Sequence, residues 1–357
     1  MRPIPQLRPV LPRRTCLPSR RRHVSTTSPS STRLHHEKHR HDGGGGSDDD
    51  VVDLAFHRHN PPEKTATKGP GPIIIMHGLF GSQRNNRTLS KALAKDLSRP
   101  VYTIDLRNHG DSPHSPVHTY TAMARDVEHF LDTHKIPSPT LVGHSMGAKV
   151  AMTLALRRPE RYSALVPVDN APVDAALRGD FSKYLDAMRE IDEMRPRPKR
   201  QSDADKILAK YEPDLAIRQF LLTNLVKMPV VQPGGAGGGG GPAHSSHQHH
   251  GARRDKDRHD ATELRFRIPL HTLAKSLPNL ADFPFKDPDT HKYKGPTLIA
   301  RGTKSHYVAD DTLPVIGRFF PRFELRDFDC GHWVMSEKFD EFRAALVEWV
   351  DRVVDET

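Results

Sequence analysis

At 357 residues, 35% hydrophobic and 27% charged, the chain is long enough for one large core with insertions and too apolar to be disordered throughout. Its formal charge of +10 invites a nucleic-acid reading, yet nine Arg and one Lys against Glu37 and Asp42 give the first 42 residues a net of +8. Only +2 is left for the rest, so no nucleic-acid partner is expected; two cysteines, Cys16 and Cys330, exclude a disulfide framework and fit a reducing compartment.

In chain order, the leader is Arg-rich and Ser/Thr-rich, with no acidic residue before Glu37. That is the composition of an organelle transit peptide; a basic tail without an address is the alternative. A secretory signal would need an unbroken apolar core, and here Pro or Arg interrupts every apolar cluster. HDGGGGSDDD, residues 41–50, links leader to domain, so residues 1–50 are expected as transit peptide and flexible linker. No run of roughly 20 apolar residues is present to span a membrane as a helix.

From Val51 onward, short β-branched runs alternate with helical stretches, the pattern of a mostly parallel sheet flanked by helices. The predicted strands are 51–56, 72–76, 101–106, 140–145, 164–169, 297–302 and 323–328. Residues 119–134 and 339–353 carry apolar stripes at helical spacing, Met123, Val127, Phe130 and Leu131 in the first, and Phe339, Phe342, Leu346, Trp349 and Val350 in the second. These stripes face a core. Residues 171–295 have helical periodicity and no strand alternation, which predicts a helical cap inserted after the strand that ends at Asp169. The core would then be 51–170 and 296–357. Within the cap, residues 232–260 are Gly-rich, then His-rich and charged, and read as a disordered insertion. Its histidines, His244, His247, His249 and His250, imply no fixed geometry, so no metal site is expected.

Three segments carry chemistry. GHSMG, residues 143–147, places Gly143 and Gly147 around Ser145, between a β-rich run and the helix-forming MGAKVAMTLALRR. A strand that turns sharply into a helix strains the serine and crowds its flanks, so small residues are needed there. Ser145 is therefore the candidate nucleophile. MHGLFGS, residues 76–82, follows an apolar strand and suggests an oxyanion hole, formed by the backbone N–H of Met146 and that of Leu79 or Phe80, with Gly78 permitting close approach. DCGHW, residues 329–333, puts His332 in a loop after the last strand. The order Ser, acid, His is that of α/β hydrolases: imidazole takes the serine proton and a carboxylate holds the imidazole. Asp169 at a strand end is the candidate acid, with Asp310 and Asp311 as fallbacks after the penultimate strand. Cys330 reads as a packed thiol, and RNHGDS, with Arg107, His109, Asp111 and Ser112, as a structural network beside the site.

HGLFGS, DLRNHGDSPHS, VGHSMGAKVAM, VDNAPV and RQFLLTNLV together resemble the mitochondrial branch of the α/β hydrolases, over residues 72–353 apart from 232–260. That branch includes abhydrolase domain-containing protein eleven of animals and the fungal mitochondrial ethanol acetyltransferases. The resemblance implies the α/β-hydrolase fold, a mitochondrial location, in the matrix, and a Ser145–Asp169–His332 esterase or thioesterase that needs no cofactor. Some relatives pass the acyl group to an alcohol. The expected partner is a small-molecule ester, thioester or acyl-CoA. An acyltransferase with the same triad is the alternative, and a catalytically silent binding protein on the same fold is a third reading. LIARGTKSHYV, where relatives carry a different loop, departs from the pattern, as does 232–260; the latter leaves the shape of the cap open. Oligomeric state is not legible.

Overall fold

A computed structural model describes residues 50–62, 71–174, 180–229 and 262–353. The leader and residues 232–260 lie outside them.

Seven strands form one sheet: β1 (Phe56–His59), β2 (Ile73–Met76), β3 (Val101–Ile104), β4 (Thr140–His144), β5 (Ala164–Val168), β8 (Thr297–Gly302) and β9 (Phe323–Phe328), in the order β1-β3-β2-β4-β5-β8-β9. β1 runs antiparallel to β3 and every other pairing is parallel. The central strands are buried at every position, as both faces are covered by helices. α1 (Arg87–Asp96), α2 (Tyr120–Thr133) and α3 (Met146–Arg157) connect the first strands. α8 (Leu313–Phe319) joins β8 to β9, and α9 (Val334–Glu337) and α10 (Phe339–Val353) follow the last strand. Sheet and helices divide the apolar residues into two clusters, one on each face. Ile74, Leu141 and Leu165 look to α2 and α3, whereas Ile73, Val142 and Val166 look to α1 and α10. Alternate residues of one strand thus serve opposite layers.

The first predicted strand is displaced. Residues 51–55 form no strand, and β1 begins at Phe56. Side chains take up N–H groups there, Val52 N–H donating to Asp126 (2.9 Å) and Ala55 N–H to Ser112 Oγ (2.9 Å), while Ala55 O accepts from Asp105 N–H (2.8 Å). Local pattern could not distinguish the two kinds of acceptor.

Between β5 and β8 the chain makes an excursion containing α4 (Asp180–Glu193), α5 (Gln201–Leu208), α6 (Leu215–Leu222) and α7 (Leu270–Ala281). It is not wholly helical. β6 (Leu225–Pro229) and β7 (Thr262–Phe266) pair antiparallel, with Leu225 opposite Phe266 and Pro229 opposite Thr262. The expectation of no strands in this segment is corrected: each strand is short, and residues 230–261 separate the partners in sequence. Two core side chains fasten the end of α7. Tyr120 donates from its hydroxyl to Leu280 O (2.9 Å), and the buried Lys149 ammonium donates to Asp282 O (3.2 Å). A cation at a helix C-terminus opposes the partial negative charge of the last carbonyls. Burial lowers the Lys149 pKa to about 8.

Candidate active site

Parallel strands bring their carboxyl ends to one edge, where ligand sites of open α/β sheets gather. β4 ends at His144, and Ser145 follows at φ 53° and ψ −112°, a strained combination for any side chain. The crowding that demands glycine is visible on both flanks. A Cβ on Gly143 would stand 2.1 Å from Gly147 O, and one on Gly147 would stand 2.5 Å from Met76 O. Neither position accepts a side chain without moving backbone. Asn170 Nδ2 donates to Ser145 O (3.1 Å), and Ser145 N–H donates to Val168 O (2.9 Å), so the turn is tied to the end of β5.

Asp169 and His332 come to the same place from β5 and from the loop after β9. His332 Nε2 lies 2.9 Å from Ser145 Oγ, and His332 Nδ1 lies 2.7 Å from Asp169 Oδ2. Asp169 is fully buried, and its second oxygen accepts from Gly302 N–H (3.0 Å). Both oxygens are thus satisfied, as a buried carboxylate requires. An acceptor at Nδ1 keeps a proton there, leaving Nε2 of a neutral ring free to take the serine proton. The fallback acids stand elsewhere. Asp310 is exposed and pairs with Arg301 (2.5 Å), and Asp311 is exposed beside it. The penultimate-strand loop contributes Tyr307 instead, whose ring lies 4.3 Å from that of His332, centroid to centroid.

The oxyanion donors that sequence left open are separated by their partners. Met146 opens α3, where a first-turn N–H has no partner within the helix. Leu79 N–H has no hydrogen-bond partner among the described residues. Phe80 is a correction: its N–H donates to His109 Nε2 (3.1 Å), so it is spent within the scaffold. Leu79 and Met146 are the pair left available.

RNHGDS is a network beside this turn. His109 donates from Nδ1 to Arg107 O (3.0 Å), which leaves Nε2 as acceptor. Arg107 holds Asp126 through two bonds (2.6 and 2.7 Å), both side chains being fully buried. Asp105 accepts from Gln83 N–H, Gln83 Nε2 and Asp111 N–H, but burial dominates and raises its pKa to about 6. Burial also pushes His77 down to about 4 and His109 to about 3.

Several neighbours were missed in sequence. His144 lies 2.8 Å from His332 O through its Nε2, the Trp333 ring lies 4.7 Å from that of Phe220 of α6 at a tilt of 59°, and Asn224 Nδ2 donates to Phe80 O (2.8 Å). Each sits inside or next to a quoted motif, but nothing local indicates its partner. Cys330 is buried, which raises its thiol to about 11 and makes it a poor nucleophile. Among the described residues no group of three or more His, Cys, Asp or Glu is placed to hold a metal ion, and no helix is long and apolar enough to cross a membrane.

A serine at a strained strand-to-helix turn, beside a histidine and a buried aspartate, marks a hydrolase-type site on an α/β sheet. The chain belongs to the α/β-hydrolase fold family, whose model matches residues 71–339. Among curated proteins it is 41% identical to a probable alcohol acetyltransferase of Saccharomyces cerevisiae, over 80% of this chain and 78% of that one. It is 35% identical to the sn-1-specific diacylglycerol lipase ABHD11 of Xenopus laevis, over 84% and 85%. Among solved structures, a marine microorganism esterase superposes with a TM-score of 0.67 at 26% identity, covering 84% of this chain and all of that one.

Proposed function

We propose that the chain is a serine hydrolase that cleaves carboxylic esters or acyl thioesters through an acyl-Ser145 intermediate. The observation that carries this reading is the line from Ser145 Oγ through His332 to Asp169, at 2.9 and 2.7 Å. Ser145 Oγ attacks the acyl carbonyl carbon while His332 Nε2 takes its proton. The carbonyl oxygen becomes an oxyanion, received by the N–H groups of Leu79 and Met146. Collapse expels the alcohol or thiol, which takes the proton from His332. Water, deprotonated by the same imidazole, then attacks the acyl-enzyme and releases acid and free serine. Asp169 keeps the ring in its working tautomer throughout. No step calls for a cofactor.

A second reading has its own support in the relative named as a probable alcohol acetyltransferase. There an alcohol replaces water in the last step, and the product is an ester. The two differ only in the acceptor. We rank hydrolysis first because nothing in the sequence identifies a dedicated alcohol pocket. The Arg-rich, acid-poor leader supports a further proposal, import into mitochondria, with the matrix as destination.

The test is covalent labelling with a fluorophosphonate probe, followed by turnover of short esters and acyl-CoA with and without ethanol. Labelling is expected in the wild type and lost in Ser145→Ala. Equal labelling of both would move the nucleophile elsewhere. Turnover is expected without ethanol; turnover only in its presence would make the chain a transferase.

A further inference from the structure

Phe80 occupies a position that a phenylalanine does not choose. Its φ is 63°, in the left-handed region that favours glycine, and such strain persists only where the surroundings impose it. It sits in the turn that Gly81 N–H closes onto Gly78 O (2.9 Å), directly after Leu79. Two buried side chains hold Phe80 from outside that turn. His109 Nε2 accepts its N–H, and Asn224 Nδ2 donates to its C=O.

The two clamps come from different parts of the fold. His109 belongs to the loop after β3, and its tautomer is set by Arg107 O. Asn224 belongs to the excursion between β5 and β8, with 2% of its surface exposed. Its N–H donates to Leu221 O (3.1 Å) at the end of α6, and its C=O accepts from Arg267 N–H (2.9 Å) at the root of β6 and β7. The Asn224 backbone is thus anchored independently of Ser145.

We propose that Asn224 is a positioning residue for the oxyanion hole. With His109 opposite, it locks the 78–81 turn in its strained form and so fixes where the Leu79 N–H points. The inference rests on the nucleophile reading above. Asn224 touches no reacting atom and acts through Phe80 and Leu79. Once its amide is removed, Phe80 can relax towards negative φ, and the adjoining peptides rotate. A misplacement near 1 Å costs on the order of 100-fold in rate, while deletion of an oxyanion donor costs about 10²- to 10³-fold. The effect expected here is the smaller.

The experiment uses the whole protein with p-nitrophenyl acetate. Asn224→Leu keeps the volume and removes the amide; Asn224→Asp keeps the shape and presents a carboxylate to Phe80 O. Both are expected to lower kcat by roughly 10- to 100-fold with KM little changed, the pattern of an interaction made in the transition state. The Ki of an aryl trifluoromethyl ketone, which adds to the serine and carries an oxyanion, should rise in proportion, while the Ki of the carboxylate product stays constant. Should Asn224→Leu fail to fold, the isosteric Asp variant carries the test. The proposal is overturned by wild-type kcat in the folded variants, or by a loss of kcat without weaker ketone binding. Ser145→Ala in the same assay separates the two readings. Wild-type turnover there sinks the nucleophile assignment, whereas an inactive Ser145→Ala beside fully active Asn224 variants sinks only this inference.

Discussion

Asp169 lies at a strand end, at φ 52°, with its carboxylate divided between Gly302 N–H and His332 Nδ1. Its substitution by Asn leaves an amide of the same shape but turns a donor towards one of those two partners. The imidazole then loses the acceptor that fixes its tautomer. Asp169→Asn is therefore expected to lower kcat/KM on an activated ester by about 10⁴-fold, as in the serine-protease precedent. Asp310→Asn disturbs only an exposed pair with Arg301, which still holds Asp327 at 2.7 Å. Exposed pairs contribute about 0–1 kcal/mol, so Asp310→Asn and Asp311→Asn should stay within roughly tenfold of wild type. A dead Asp311→Asn beside an active Asp169→Asn would move the acid to the loop after β8. At this scale the sequence went far. It singled out Ser145, Asp169 and His332, which stand together in the structure, because motif and chain order constrain them. It could not choose between Leu79 and Phe80, since that choice belongs to a histidine 29 positions away from Phe80.

At the scale of elements, the loop from Asp105 to His118 carries several of the buried titratable groups behind the candidate site. His77, His109, His118 and His144 all have folded-state pKa values lowered first by burial. A histidine with a lowered folded pKa contributes stability in full above about 6.5; it is lost as pH falls towards the folded value, because the unfolded chain binds the proton first. Asp105 works in the opposite sense. Its folded pKa of about 6 exceeds the unfolded value near 3.8, so stability increases as pH falls through that window. Asp126, also raised by burial, adds to it. Each such group contributes a slope of at most about 1.4 kcal/mol per pH unit. Four histidines outweigh two carboxyls, and between 6.5 and 6 the histidines act almost alone. Tm is therefore expected to fall as pH is lowered from 6.5 towards 4, and thermal scans at half-unit steps check it. A flat or rising Tm over that range would mean that the rings are hydrated or charged in the fold. The elements themselves were legible where periodicity was long, as in α2 and α10, or where a strand was wholly apolar, as in β2. β6 and β7 were not, because their partly exposed residues form no apolar run and residues 230–261 stand between the partners.

For the whole molecule, the charge asymmetry leads to the remaining prediction. Residues 1–42 carry +8 of the chain's net +10 and lie outside the matched family region that begins at residue 71. Fused to a fluorescent reporter, residues 1–50 are expected to direct it to mitochondria, and the full-length protein should lose its leader there. A reporter left in the cytosol, or a mature protein that retains Met1, would leave residues 1–50 as a basic tail without an address.

By itself the sequence determined the fold class, because alternating apolar runs and helical stripes leave few other ways to bury those surfaces. It also determined the elbow, since only small flanks tolerate a serine in that turn. Tertiary structure alone decided what lies across the sheet edge from Ser145. It gave Phe80 N–H to His109 and brought Asn224 onto Phe80 O. These are contacts between residues far apart in the chain, and their geometry depends on how parallel strands align their ends. No local pattern encodes that alignment; it arises when the two layers of helices close on the sheet.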